Sequence, residues 1–247
     1  MPPIRGEEEK MLEAILFDFD DTLIHYKTSE EYGLTKALEE CGVEVKSEYL
    51  LLYSEVNRKL WRLAEKGVLS TAELRLRRFE TLIRETGIEV GISAKKLDER
   101  YLHHFAEVGK VEDGAFGMLR WLGGLSGLRK AIITNGFSDT QRRRIERTRI
   151  GDYFDQLYIS GEMGAKKPEP EMFQMVLENL EISDPERVLI VGDNLVSDMM
   201  GGKKSGLLTC WYNPQRRDAD IYAEYIDFEI PHLSCIRRLP FFAENMD

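Results

Sequence analysis

The stretch 13–26, EAILFDFDDTLIHY, decides how the chain is read. An apolar run, AILFDF at 14–19, drives into three aspartates, Asp18, Asp20 and Asp21. A short, mostly apolar run of this kind reads as a buried parallel strand. Residues two apart on a strand share a side, so Asp18 and Asp20 face one way and Phe17 and Phe19 the other. Carboxylates this close resist joint ionisation unless a cation intervenes. Mg²⁺ suits the place, because it prefers oxygen ligands and takes a few carboxylates with water and phosphate. A solvated strand-end turn explains one aspartate better than it explains D-x-D-D-T after a buried strand.

Outward from this point, strand-like and helical textures alternate. Residues 130–134, 156–160, 187–192 and 207–212 repeat the short apolar pattern, and helical stretches fill about 114–125, 138–149, 170–181 and 196–205. Alternation of this kind predicts an α/β fold with a parallel sheet and right-handed crossovers. Ser138 with Gln141 fits a capping box, and Pro168 and Pro170 precede the helix at EMFQMVLENL. Residues 25–107 hold no convincing strand. Tyr49, Leu52, Tyr53, Val56, Leu60 and Leu63 recur at helical spacing, as do Ala72, Leu76, Phe79, Leu82 and Ile83 after a capping-box signal at Ser70 and Glu73. The economical reading is a helical insert with its own small core: 1–24 and 108–247 form the sheet domain, 25–107 the insert.

Three further segments carry chemistry. In VLIVGDNLVSDMMGG, Asp193 ends an apolar strand and Asp198 follows; Gly192 permits close passage and Gly201–Gly202 tight packing. In AIITNGFSD, Thr134, Asn135 and Gly136 stand where a strand gives way to a helix, a place whose hydroxyl, amide and N–H groups suit phosphate oxygens. In GAKKPEPEMF, Lys167 is held extended by the following proline, where its ammonium can balance the aspartates and grip a phosphoryl oxygen. Ordinary helix capping would explain either of the first two alone, and a solvated lysine the third.

Bulk composition narrows the class. The chain has 247 residues, 43% hydrophobic and 32% charged, an ordinary globular balance able to bury a full core. A net charge of −10 argues against a nucleic-acid polymer as partner. The arginines around 142–149 then read as a solvated face or as ion-pair partners within the chain. Cys41, Cys210 and Cys235 are odd in number and far apart, which predicts no disulfide framework and a reducing, cytoplasmic setting. MPPIRGEEEKM has no apolar signal core, and no run reaches the ~18 apolar residues a membrane span needs. The four histidines, His25, His103, His104 and His232, are not spaced as metal ligands.

Taken together, Asp18-Phe19-Asp20-Asp21-Thr22, then Thr134, then Lys167, then Asp193 with Asp198, resemble the ordered motifs of the haloacid dehalogenase (HAD) superfamily of phosphotransferases. The resemblance spans nearly the whole chain. Within the superfamily the text is most similar to YjjG/YfnB-type pyrimidine 5′-nucleotidases, through ITNGF, ERTRIGDYFD, VGDNLVSDMMGG and LLTCWYN. One departure, VEDGAF at 111–116, lacks the proline that relatives often place before the glycine, and it falls in a linker.

The resemblance implies a Rossmann-like core with a mobile, C1-type helical cap at 25–107. It implies Mg²⁺ held by Asp18, the Asp20 main-chain carbonyl and Asp193. Asp18 is then the nucleophile and Asp20 the acid–base. Thr134, the backbone at Asn135–Gly136 and Lys167 orient the phosphoryl group, with Asp198 and Thr22 in support and Asp21 shaping the turn. Dehalogenases of the superfamily typically lack an acid at the place of Asp20, so Asp20 favours phosphate-ester hydrolysis. Trp61 and Arg78 are candidate substrate contacts in the cap, with a core aromatic and a surface-covering arginine as the plainer readings. The expected substrate is a small phosphorylated metabolite, a pyrimidine nucleoside 5′-monophosphate first and a sugar phosphate or phosphoglycolate second. A catalytically silent binding protein of the same fold is the non-enzymatic alternative, and the intact acid and lysine set argues against it.

Overall fold

The structure, a computed structural model, describes residues 11–245; the stretch MPPIRGEEEKM lies almost wholly outside them. The chain divides into two compact units. One comprises the described residues up to Ile24 together with Val111–Phe137 and 150 onward; the other comprises His25–Lys110 and Ser138–Arg149.

The first unit is built on a six-stranded, all-parallel sheet: β1 Ala14–Phe17, β2 Arg129–Thr134, β3 Gln156–Ile159, β4 Val188–Gly192, β5 Leu208–Tyr212 and β6 Phe228–Ile230. Its order is β3-β2-β1-β4-β5-β6, and β1 pairs with β2 and β4. The sequence predicts the first five strands. β6 escapes it because three residues with a central glutamate carry no periodic signal, although they pair with Cys210–Tyr212. β1 also ends earlier than predicted, at Phe17, so strand alternation does not govern Asp20. Both sheet faces are buried, as parallel strands require. Ala14, Leu16, Ala131, Ile133, Val188 and Ile190 share one core cluster with Met172, Phe173 and Val176, from the helix Pro170–Asn179. Phe17 makes an edge-on contact with Phe154, centroids 5.9 Å apart.

The second unit holds four helices of the insert, α1 Tyr26–Glu39, α2 Ser47–Glu65, α3 Thr71–Thr86 and α4 Ala94–Phe105. The α3 start is the expected capping box: Ser70 Oγ accepts from Glu73 N at 3.2 Å, and Ser70 N donates to Glu73 Oε2 at 3.0 Å. A Cβ at Gly33 would stand 3.0 Å from Phe105 N and Tyr101 O, so glycine lets α1 and α4 approach closely. The apolar periodicity overreaches in places. Leu63 and Leu76 are 39% and 37% exposed, while Asn57 and Arg78 occupy the inward positions.

The helix Ser138–Thr148 belongs to this helical unit by its contacts, although it follows β2 in sequence. Of its arginine run, Arg142, Arg143, Arg147 and Arg149 are exposed. Arg144 is buried, with its guanidinium 4.5 Å from the Phe105 ring centroid and NH1 donating to Gln141 Oε1 at 3.0 Å. No helix among the described residues is long and apolar enough to cross a membrane.

Candidate active site

The site grows from the carboxyl ends of β1, β2 and β4, where open parallel sheets place ligands. Asp18 follows β1 directly, and its N–H donates to Val191 O at 2.9 Å. Its carboxylate meets Lys167, whose Nζ donates to Asp18 Oδ1 and to Asp198 Oδ1, both at 2.6 Å. Lys167 is 1% exposed and Asp198 fully buried. Thr22 Oγ1 donates to Asp18 Oδ2 at a longer 3.4 Å. Asp21 adopts a left-handed backbone, φ 57°, and donates its N–H to Ile24 O at 2.7 Å. Aspartate tolerates that conformation, and the chain turns there.

The lysine is fixed from a second strand. Asn135, just after β2, donates Nδ2 to Lys167 O at 2.7 Å and accepts from Lys167 N at 2.9 Å. The Asn135 side chain therefore positions Lys167, a role its sequence place did not reveal. Thr134 is 1% exposed, and its Oγ1 accepts from Gly136 N at 3.1 Å.

Asp198 is delivered by an irregular turn. Leu195–Met200 forms a π-helical segment and Gly201–Lys204 a short α-helix, where the sequence predicts one continuous helix. Single π turns often mark functional places. Asn194 caps this one, accepting from Val196 N and Ser197 N at 2.9 and 3.0 Å. Gly192 is obligatory: a Cβ there would lie 2.3 Å from Asp198 Oδ2.

Electrostatics follow from this packing. Burial pushes the Asp18 carboxyl up to about 7, against the pull of Lys167 and with Asp198 and Asp20 adding to the rise. Burial alone would lower Lys167, but Asp18 and Asp198 outweigh it and hold the ammonium protonated above the ordinary lysine range. Burial, then the charges of Asp18, Asp21 and Asp198, push Asp193 well up, with Arg217 opposing. Carboxylates thus outnumber the cations set among them. Asp18, Asp193 and Asp198 each offer an oxygen within 4.8 Å of the others. Hard oxygen donors without histidine or thiolate fit Mg²⁺. Asp20 is half-buried, and its carboxylate lies outside that donor group.

The haloacid dehalogenase-like hydrolase family model matches residues 12–206. The chain belongs to that family. It is 37% identical over 204 residues to pyrimidine 5′-nucleotidase YjjG of Escherichia coli, covering 83% of this chain and 87% of that one. It is 31% identical over 214 residues to pyrimidine 5′-nucleotidase PynA of Streptococcus pneumoniae, covering 85% and 87%. The crystal structure of the HAD hydrolase YfnB of Bacillus subtilis, bound to magnesium, superposes with a TM-score of 0.85 at 30% identity, covering 93% and 98%.

The other candidates of this HAD hydrolase lie in the helical unit. Arg78 is 1% exposed, and its NH2 donates to Asp98 Oδ1 at 2.6 Å. Trp61 is half-buried on α2. His104 is engaged by Glu107 on Nδ1 at 3.0 Å and by Glu40 on Nε2 at 2.7 Å. Sequence reasoning missed Arg217, which donates to Asp193 O at 2.7 Å from a loop with no recognisable spacing.

Proposed function

We propose that the protein is a Mg²⁺-dependent phosphomonoester hydrolase that works through an aspartyl-phosphate and takes pyrimidine nucleoside 5′-monophosphates. The observation that carries this reading is the buried Asp18 at a strand end, held 2.6 Å from a lysine that is itself braced by Asp198. A carboxylate fixed in one pose, with its charge offset, is suited to attack phosphorus.

Asp18 attacks through one carboxylate oxygen as the bond to the leaving alcohol breaks. Asp20 gives its proton to that alcohol and then takes one from the water that cleaves the acyl phosphate, which restores both side chains. The Thr134 hydroxyl, main-chain N–H groups at Asn135–Gly136 and the Lys167 ammonium orient the phosphoryl oxygens. Asp18, the Asp20 main-chain carbonyl and Asp193 would hold Mg²⁺, which supplies positive charge against the transferring group. Asp198 and Asn135 keep Lys167 in place. Residues 25–107 are the helical cap domain, with Trp61 as its candidate substrate contact, while Arg78 is engaged by Asp98 within that unit. The three cysteines, all free, suit a reducing cytoplasm.

Names of two relatives favour the pyrimidine nucleotide. The deciding experiment sets UMP, dUMP and dTMP against sugar phosphates and phosphoglycolate with Mg²⁺ present. The expected result is highest kcat/KM on the pyrimidine nucleotides. Fast turnover of a sugar phosphate with all three nucleotides slow would overturn the substrate assignment.

A further inference from the structure

We propose that Arg217 is a positioning residue for the acid cluster. It fixes Asp193 for metal binding and thereby sets the affinity of the site for its divalent cation. The inference rests on the reading of this cluster as a Mg²⁺ site.

Asp193 is held at its main chain by two donors. Trp211 Nε1, from β5, donates to Asp193 O at 3.0 Å, and Arg217 NH2 donates to the same oxygen at 2.7 Å. The same Arg217 nitrogen stands 3.5 Å from Asp193 Oδ2, and the guanidinium carbon lies 5.4 Å from the Trp211 ring centroid. One flat cation thus touches the carbonyl, the carboxylate and the aromatic ring at once, a geometry that lysine cannot reproduce.

The loop that presents Arg217 is itself fastened. Asn213 is fully buried; its Nδ2 donates to Arg217 O at 2.9 Å and to Glu229 Oε1 at 2.7 Å. Its Oδ1 accepts from Arg217 N at 2.9 Å. A half-exposed arginine ordinarily loses much rotamer freedom when it holds one pose. Here the backbone is set in advance by Asn213.

The purpose follows from the charges. Lys167 is committed to Asp18 and Asp198. Asp193 faces the like charges of Asp18, Asp21 and Asp198. Left alone, its carboxylate would turn from them toward water. Arg217 takes one oxygen and the carbonyl, which leaves Oδ1 available to a cation.

The test is calorimetric titration of Mg²⁺ into the full-length wild type, Arg217→Ala, Arg217→Gln and Arg217→Lys. Removing a partner that orients a ligand typically weakens metal binding about 10–100-fold. Arg217→Ala is expected to raise the Mg²⁺ Kd by about tenfold or more, with Arg217→Lys recovering part of the loss. At saturating Mg²⁺, kcat is expected to stay within a few-fold of wild type. A Kd within twofold of wild type in folded Arg217→Ala or Arg217→Gln overturns the assignment, even if melting temperature falls. Wild-type protein that binds no Mg²⁺ would instead overturn the metal reading of the whole cluster.

Discussion

Lys167 in the sheet unit and Arg78 in the helical unit are both 1% exposed, and each meets a carboxylate at 2.6 Å. Their surroundings differ. Arg78 sits on α3 among aromatic rings, 4.7 Å from the Tyr101 centroid and 5.2 Å from that of Phe79. Its partner Asp98, on α4, gives its other oxygen to Arg75 at 2.7 Å. That cluster joins two helices and carries no excess of acid. Lys167 faces two carboxylates with a third beside them, all on strand ends and the turns that follow. Burial of an ion pair is common to both. The surplus of acid at strand ends, which calls for a further cation, belongs to the sheet unit alone among these two clusters.

The two clusters should therefore fail differently when broken. Asp18→Asn is expected to lower kcat by at least about 10³-fold, as loss of a nucleophile does, with the protein still folded. Asp20→Asn should cost about 10²–10⁴-fold, the usual share of general acid–base work. Its deficit should shrink for an ester with a good leaving group, because the first proton transfer then matters less. Wild-type-like turnover by purified Asp18→Asn would sink the covalent mechanism.

Asp98→Ala should act on stability instead. It strands the buried Arg78, and breaking such a pair from one side costs about 3–5 kcal/mol. Urea unfolding monitored by helical signal would read this directly. A loss below about 1 kcal/mol would place Arg78 among groups that water still reaches, and would revive its candidacy as a substrate contact.

The acid surplus also predicts a proton–metal exchange. In the metal-free protein Asp18 is raised to about 7, so the folded state favours its protonated form and is penalised as pH rises from the ordinary carboxylate range to that value. A metal needs the carboxylate. Asp193, pushed up as well, must also give up its proton, so Mg²⁺ affinity should rise with pH through at least about 7. Calorimetry in buffers of different ionisation enthalpy should show proton release below that point. A Kd flat from pH 5.5 to 7.5 would remove Asp18 from the ligand set.

The same contrast explains what the sequence revealed. Asp18, Lys167, Asp193 and Asp198 were legible because each stands beside a strong local signal, a buried strand end or a proline before a helix. The sheet was legible for the same reason, except β6, whose FEI is too short to show a period. The side chain of Asn135, a candidate phosphate-binding residue, clamps Lys167 across 32 positions of sequence, a pairing that no local pattern encodes. In the helical unit, apolar spacing found the helices but misjudged their inward faces at Leu63 and Leu76. There Asn57 and Arg78 are buried through hydrogen bonds and ion pairs, which a hydrophobic period does not register.

The smallest expected effect lies at a third cluster, where a histidine takes the part of the cation. His104 stands in the last turn of α4 with Glu107 on one ring nitrogen and Glu40 on the other; Arg100 lies beside Glu40 and His103 beside Glu107. Burial would lower its pKa, but the bonds to Glu107 and Glu40 outweigh burial and raise it above the ordinary histidine value. Both glutamates shift down, chiefly through His104 itself, and so remain ionised where the ring titrates. A raised histidine gives its full stabilisation below its unfolded pKa, about 6.5, and loses it as pH climbs through the folded pKa. The last turn of a helix adds to the preference for a positive charge. His104→Ala should therefore lower the melting temperature most near about pH 6 and progressively less as pH climbs above the ordinary histidine range. Since the ring is reached by water, the shift should be small and should fade in high salt, unlike the loss at Asp98. A deficit that is constant across this range would mean that His104 acts through packing, and that the helical unit uses charge only where it is buried.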